Sequence, residues 1–306
     1  MDLIIPKKYV ILDSQILTAL MKCPRYADYT FNHNRRPLGG KSNPLECGSI
    51  VHTILEFYYK AKIDGARRND AIDIGYAAGR EYLVPYKESN KYILDKDHPG
   101  IINTPAESQT KPKRIGYNYV FKTMEQYFDY WRTEHSWTPL FVEHVIKDVI
   151  YEDDELQVLY KAKFDLIEDS PLGLISTDHK TMSQVRDTLS LNNQFIGHCT
   201  LLKTRQVQIN KIGWQTTLAP EEKFLRPLIP YSIDRITEWM KETVPFYARM
   251  LLSYAEAEHF PPNFSQCEDK YGYCIFKNVC ERDRNMRVAV LEREYELVKE
   301  WDIQND

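Results

Sequence analysis

Two neighbouring stretches, ELQVLYKAKFDLIEDS at residues 155–170 and GLISTDHKTM at 173–182, are separated only by Pro171 and Leu172. Both are rich in β-branched and aromatic residues and end in acidic or Pro/Gly turns, which predicts two consecutive strands. The preceding stretch, EHVIKDVIYEDD at 143–154, has the same character and extends the sheet. Asp165 sits in the first of the pair, and Asp178-His179-Lys180 ends the second. If the strands are neighbours, two carboxylates meet at one end of a sheet with an ammonium beside them. Two hard oxygen ligands of this kind suit Mg²⁺ or Mn²⁺, which lowers the pKa of bound water and neutralises charge developing on a phosphate. Lys180, two residues after Asp178, projects from the same strand face and can orient the water or stabilise the transition state. Taken alone, a D-x-K match also fits two surface acids and a lysine at strand ends.

Before this sheet the pattern is helical. DSQILTALMKCPRYADYTF carries an apolar stripe (Ile16, Leu17, Leu20, Met21), with Asp13 or Ser14 to cap it and Pro24 to break it after Cys23. A polar stretch, NHNRRPLGGKSNPLE, leads to a helix expected over about 48–62, on which His52 and Glu56 share a face. Further helices are expected over 66–94 and 116–134, separated by a loop at 95–113 with a basic end at Lys111, Lys113 and Arg114. After the sheet come a helix over about 190–204, strands in VQINKIGWQTTLA and KFLRPLIPYS, and a long helix over 232–258 with Pro245 as a kink. HFPPNF leads into a cysteine segment, and 284–302 reads as a charged final helix. This order predicts a mixed α/β (α+β) fold: a helical part over 1–135, a core sheet over 136–231 and C-terminal helices with the cysteines over 232–306, all in one domain.

The balance of 40 Lys+Arg against 44 Asp+Glu gives a net charge of −4, which argues against a nonspecific basic coat for nucleic acid but leaves room for a narrow metal-bearing cleft. No apolar run reaches the length of a membrane span, so no membrane partner is expected. The opening MDLIIPKKYVILD lacks the organisation of a signal peptide, and the protein is expected in the cytoplasm of a bacterial or phage-infected cell.

In a reducing compartment, Cys267, Cys274 and Cys280 within fourteen residues read as metal ligands before disulfides. With Cys23 they make four thiolates, the number that closes a 4Fe–4S cluster or a structural zinc site. Cys47 and Cys199 fall outside that set and read as small core residues. Tyr26, Tyr58, Tyr59 and Trp214 have the chemistry of base-stacking platforms, although their spacing fits core packing equally. Basic residues at 203–205 fit phosphate contacts or simple solvation.

Singly, a histidine on an amphipathic helix or a glutamine opening the next helix is as a rule structural. In order, however, Gly48-x-x-x-His52, Asp165, Asp178-x-Lys180 and Gln194 resemble the RecB-like branch of the PD-(D/E)XK nuclease superfamily. ILTALMKCPRYADY also looks like that branch's opening CPxxY segment, and the likeness spans about residues 14–280. It implies a restriction-endonuclease-like core sheet flanked by helices. By resemblance, His52, Asp165, Asp178 and the His179 carbonyl would hold Mg²⁺ or Mn²⁺, Lys180 would be the catalytic lysine, and Gln194 would position DNA or that lysine. Glu56 would support His52. The branch's QxxxY tyrosine is replaced here by His198.

The cysteine set resembles the iron–sulfur subset of the branch, which includes CRISPR-associated exonucleases and the nuclease domains of bacterial helicase–nucleases. The gap from Cys267 to Cys274 is six residues where that subset has two, while the gap to Cys280 is the usual five. Zinc therefore stands as the alternative to 4Fe–4S. Treated as chain-entropy loss, closing the loop from Cys23 to Cys267 stabilises the fold by roughly 5 kcal/mol. The implied activity is metal-dependent DNA cleavage, as an exonuclease on single-stranded DNA or free ends, in recombination, repair, phage DNA processing or CRISPR adaptation. A helicase, recombinase or integrase is the implied partner, and a homo-oligomer fits equally. The alternative is an inactive DNA-end-binding or scaffold subunit that keeps the fold.

Overall fold

The strand pair at 155–182 forms the middle of a mixed sheet covered by helices on both faces. The computed structural model describes residues 7–38, 43–83, 101–102, 114–115, 117–133, 137–182, 192–214, 218–269 and 272–298. The chain enters through β1 (Lys8–Leu12) and turns at Asp13 into α1 (Ser14–Lys22). The Asp13 carboxylate accepts from Ile16 N at 2.7 Å and so caps α1, while Pro24 opens the short α2 (Pro24–Ala27). A π turn over Asp28–Asn32 and β2 (Arg35–Pro37) lead to α3 (Asn43–Ile63) and α4 (Arg68–Tyr82). The two-residue strands β3 (Ile101–Ile102) and β4 (Arg114–Ile115) precede α5 (Tyr117–Tyr130).

Three long strands follow, β5 (Thr138–Glu152), β6 (Leu156–Ser170) and β7 (Gly173–Met182), then α6 (Asn193–Leu202) and β8 (Gln206–Gly213). α7 (Pro220–Lys223), β9 (Phe224–Leu225) and β10 (Leu228–Pro230) complete the sheet. α8 (Ile233–Glu238) and α9 (Val244–Glu256) then lead to β11 (Glu268–Asp269), β12 (Gly272–Tyr273), α10 (Lys277–Cys280), α11 (Arg287–Glu294) and β13 (Tyr295–Leu297).

Among the described residues the sheet has seven strands, ordered β1-β6-β7-β8-β10, with β5 beside β6 and β9 beside β8. β5 runs antiparallel along nearly all of β6, so it takes one edge of that strand. The other edge is shared: β1 pairs parallel with residues 156–160, and β7 pairs antiparallel with 166–170. Among the described residues, 161–165 therefore have no strand partner on that edge, and β6 and β7 part beyond the Leu166–Thr177 pair. β7 continues in parallel register with β8 through the α6 crossover, the arrangement that parallel neighbours require. This fork places the candidate site.

One face of the sheet packs Val158, Tyr160 and Phe164 against Leu17 of α1, Phe195 and Cys199 of α6, and Trp239, Val244 and Ala248 from the α8–α9 region. The other face packs Leu166, Ile212 and Phe224 against α3 and α5. α6 rides directly over Tyr160, because a Cβ at Gly197 would lie only 2.4 Å from the tyrosine ring. Cys47 and Cys199 are core residues, as their isolation from the other cysteines suggests, and burial pushes their thiols up to about 12 and about 11.

Several expectations need correction. The expected helix at 48–62 starts earlier, at Asn43. The expected helix over 232–258 is interrupted by a π turn at Trp239–Thr243 immediately before Pro245. Proline has no N–H and its ring collides with the carbonyl four residues back, here that of Lys241 within the π turn. β1 lies in a stretch that suggested no strand. The charged tail is helical only to Glu294, after which β13 pairs antiparallel with β2. The expected loop at 95–113, with Lys111 and Lys113, lies outside the described residues apart from the strand at 101–102. So does the expected helix beyond Leu83.

Candidate active site

Continuing the β6–β7 register past its last pair sets Asp165 across from Asp178, where the strands part. The ladder bond lost there is replaced by a side chain: His179 N donates to Asp165 Oδ2 at 2.8 Å. His52 Nδ1, from α3, stands 3.6 Å from the same oxygen. Glu143 of β5 reaches in from the far edge, so that donor atoms of His52, Glu143 and Asp165 all lie within 4.8 Å of one another. Burial and the neighbouring Asp178 carboxylate raise Asp165 to about 6, against the pull of His52, Lys180 and the His179 N–H. A carboxylate held against its own charge beside a second acid and an imidazole suits a hard divalent cation.

Local structure explains how these groups converge. α3 can approach β7 because Gly48 has no Cβ; one built there would lie 3.0 Å from Thr181 Oγ1. His52 follows one turn later and so comes over the fork. Glu143 has φ +50°, an uncommon conformation for a residue with a side chain, and its carboxylate pairs with Lys163 at 2.5 Å. Sequence reading missed Glu143. It lies in a stretch already rich in Glu, Asp and Lys, and its inward turn depends on a backbone conformation that strand alternation does not encode.

Asp178, 1% exposed, is held from two sides. Lys180 Nζ lies 2.7 Å from Asp178 Oδ2, and Gln194 Nε2 donates to Asp178 Oδ1 at 2.8 Å. Gln194 Oε1 accepts from Lys180 Nζ at 3.4 Å, closing the triangle. Asn192 caps α6 by accepting from Gln194 N, which fixes the glutamine over β7. Burial pulls the Lys180 pKa down, but Asp178 and Asp165 outweigh it, so the ammonium stays protonated. The site thus joins an Asp165 cluster open to a cation to an Asp178–Lys180–Gln194 cluster in which Asp178 Oδ2 faces the Lys180 ammonium but accepts no hydrogen bond.

The His179 ring turns to the opposite face of β7, where it stacks on Tyr59 at 5.8 Å and meets Asn210 Nδ2 at 2.9 Å. The same Asn210 nitrogen donates to Tyr127 Oη, which also accepts from Arg226. Burial drives the His179 pKa well below its usual value, so the ring is a neutral strut under the strand. His198, in place of the family tyrosine, is buried beside Phe164, bonded to Ser176 Oγ at 2.8 Å and lowered to about 4 mainly by burial. Glu56 pairs with Lys60 at 2.5 Å, and the acids grouped with His52 are Asp165 and Glu143. Trp214 and Tyr59 are buried, as core packing requires.

The cysteines converge from both ends of the described chain. Cys23 Sγ accepts from Asn263 N at 3.2 Å, Cys267 Sγ lies 3.9 Å from Asn263 O, and Cys274 N donates to Cys267 O at 2.8 Å. Cys267 feels Cys274 and Cys23 electrostatically, and Cys280 feels the same two. All four are free thiols, a donor set that fits a soft metal centre.

A family model described as the PD-(D/E)XK nuclease superfamily matches residues 15–281, most of the chain. No curated protein matches. Two solved structures are remotely similar. One is a candidate exonuclease from Eubacterium rectale, 12% identical, with 84% of this chain and 85% of that chain covered and a TM-score of 0.46. The other is SSO0001, 11% identical, with 89% and 85% covered and a TM-score of 0.37. Likenesses this distant carry no statement about activity. The family match does not depend on them, and it covers the β6–β7 fork, the α3 histidine and the α6 glutamine alike: the chain belongs to the PD-(D/E)XK nuclease superfamily.

Proposed function

We propose that this chain is a metal-dependent deoxyribonuclease that removes nucleotides from single-stranded DNA or DNA ends. The observation that carries the reading is the meeting of His52, Glu143 and Asp165 within 4.8 Å, beside a lysine held at 2.7 Å from Asp178. His52, Glu143 and Asp165 hold Mg²⁺ or Mn²⁺, with Asp178 and the His179 carbonyl as further ligands. A cation bound there supplies charge neutralisation at the phosphate and lowers the pKa of nearby water.

The chain's own groups do the rest. Lys180 stays protonated and serves as a donor rather than a base, aimed at the water or a phosphate oxygen where charge develops. Gln194 holds Asp178 and Lys180 in one arrangement, which limits reorganisation during reaction. The choice of an exonuclease on ends, and of a helicase, recombinase or integrase as partner, rests on the likeness of the motif set to the RecB-like branch.

The four cysteines hold a 4Fe–4S cluster, with zinc the alternative, and tie Cys23 to the C-terminal segment so that residues 1–306 work as one domain. The choice of the cluster rests on the likeness of the cysteine set to the iron–sulfur subset. The test uses 5′- and 3′-labelled single-stranded DNA with Mg²⁺ or Mn²⁺, comparing wild type with Asp165→Asn and Lys180→Met. Progressive shortening lost in both variants supports the reading, and the label lost first gives the polarity. Tight DNA-end binding without cleavage by the wild type would favour the scaffold reading instead.

A further inference from the structure

Asn193 opens α6, one residue before Gln194, and its side chain is held between two distant elements. Its Oδ1 accepts from Trp239 Nε1 at 3.0 Å, and its Nδ2 donates to Met21 Sδ of α1 at 3.2 Å. An indole N–H only donates, so it fixes which end of the amide faces Trp239. Trp239, 4% exposed, is the first residue of the π turn between α8 and α9. Its ring also meets Tyr160 of β6 edge-on, with centroids 5.1 Å apart, and Tyr160 Oη donates to Asn193 O at 3.5 Å. Gly197, one turn along α6, rests on that same tyrosine.

Successive side chains leave an α-helix roughly 100° apart around its axis, so fixing the direction of Asn193 also fixes that of Gln194. Gln194 is the residue that bridges Asp178 Oδ1 at 2.8 Å and Lys180 Nζ at 3.4 Å. We infer that Trp239 is a positioning residue for Lys180: through Asn193 it sets the rotation of α6 and so aims Gln194 at Asp178 and Lys180. This rests on reading the fork as the place of DNA cleavage. It also gives the π turn a task, because such turns recur at functional sites and this one opens with the residue that reaches α6.

The test is a double-mutant cycle on the full chain, with Trp239→Phe, Gln194→Ala and both together. Phenylalanine keeps an aromatic ring against Tyr160 and removes the N–H. Cleavage of labelled single-stranded DNA with Mn²⁺ is timed across DNA concentrations to separate kcat from KM. Trp239→Phe is expected to lower kcat roughly 3–10-fold, the scale of one lost hydrogen bond, with KM unchanged. In the Gln194→Ala background the same substitution has less than about a twofold effect, because the group it acts through is gone. Asn193→Leu repeats the loss and Asn193→Asp, which keeps the acceptor for Trp239, stays near wild type; this pair serves if Trp239→Phe does not fold. The side-chain amide signal of Gln194, assigned by its disappearance in Gln194→Ala, is followed by NMR in chelator and is expected to move in Trp239→Phe. Equal slowing in both backgrounds, or an unmoved Gln194 signal, would make Trp239 a packing residue and leave the cleavage reading standing. Wild type that does not cleave would remove that reading, and the Gln194 signal then decides alone whether Trp239 aims it.

Discussion

Glu143 stands across from Asp165 on the neighbouring strand, in a left-handed backbone conformation at φ +50°, with its carboxylate brought to within 4.8 Å of the donor atoms of Asp165 and His52. The Val142–Leu166 and His144–Phe164 pairs flank these two residues, while the acids themselves leave the ladder. A strained conformation that gathers like charges lowers the stability of the chain unless a cation occupies the site.

Glu143→Gly removes that strain, because glycine adopts positive φ freely. The variant is expected to gain about 1 kcal/mol in metal-free protein, reduced by the exposed Lys163 pair, and to lose both cation binding and cleavage. Glu143→Gln keeps the strained backbone and so shows the same functional loss without the gain. Chemical denaturation in chelator checks this; equal stability of the two variants would contradict it.

Asp165 gives the pH dependence. Its folded value of about 6 lies above the ordinary 3.8, so between those values the folded chain binds more protons than the unfolded one. Its contribution to metal-free stability is therefore full below about pH 4 and is lost as pH rises through 6. Asp165→Asn is expected to melt higher than wild type at pH 7.5 in chelator and to match it near pH 4. The same proton competes with the cation, so divalent binding by wild type weakens as pH falls below 6. Thermal melts across pH decide it, and a variant less stable than wild type at pH 7.5 would oppose it.

Lys180→Met should lower cleavage by roughly 10²–10³-fold, the scale of losing one charge-stabilising donor, while cation binding persists. Single-turnover rates at saturating Mn²⁺ separate chemistry from binding. A variant that cleaves normally would place the developing charge elsewhere.

Gly197→Ala tests the contact that sets α6 over the sheet. A methyl group 2.4 Å from Tyr160 forces the helix away from β6, at a cost of about 1–3 kcal/mol, and moves Gln194 off Asp178. Reduced cleavage with a lowered melting temperature is expected, read by calorimetry alongside activity.

The legible parts of this molecule were those with a strong local signal. The β-branched and aromatic runs in 155–182 with their bounding turns, Asp13 and Pro24 at helix ends, and the ordered His52, Asp165, Asp178, Lys180 and Gln194 all carry such a signal, and the structure brings these five side chains to one fork. Glu143 carried none, since its role depends on one residue's backbone leaving the strand conformation. Asn210 is similar: its task of gripping the His179 ring is decided by the pairing of β7 with β8. β1 and β13 were missed because a stretch this short becomes a strand only when a distant partner edge is free, here on β6 and β2. Glu56 misled in the opposite sense, since helical spacing put it on the face of His52, yet Lys60 one turn later claims it.

The most direct test is the number of Mn²⁺ ions bound per chain, read from the loss of the free-ion paramagnetic resonance signal in wild type, Glu143→Gln and Asp165→Asn at pH 7.5. Saturable binding by wild type, lost or weakened at least tenfold in each variant, is the predicted result. Undiminished binding in both variants would mean that the cation is held elsewhere and that His52, Glu143 and Asp165 are not its site.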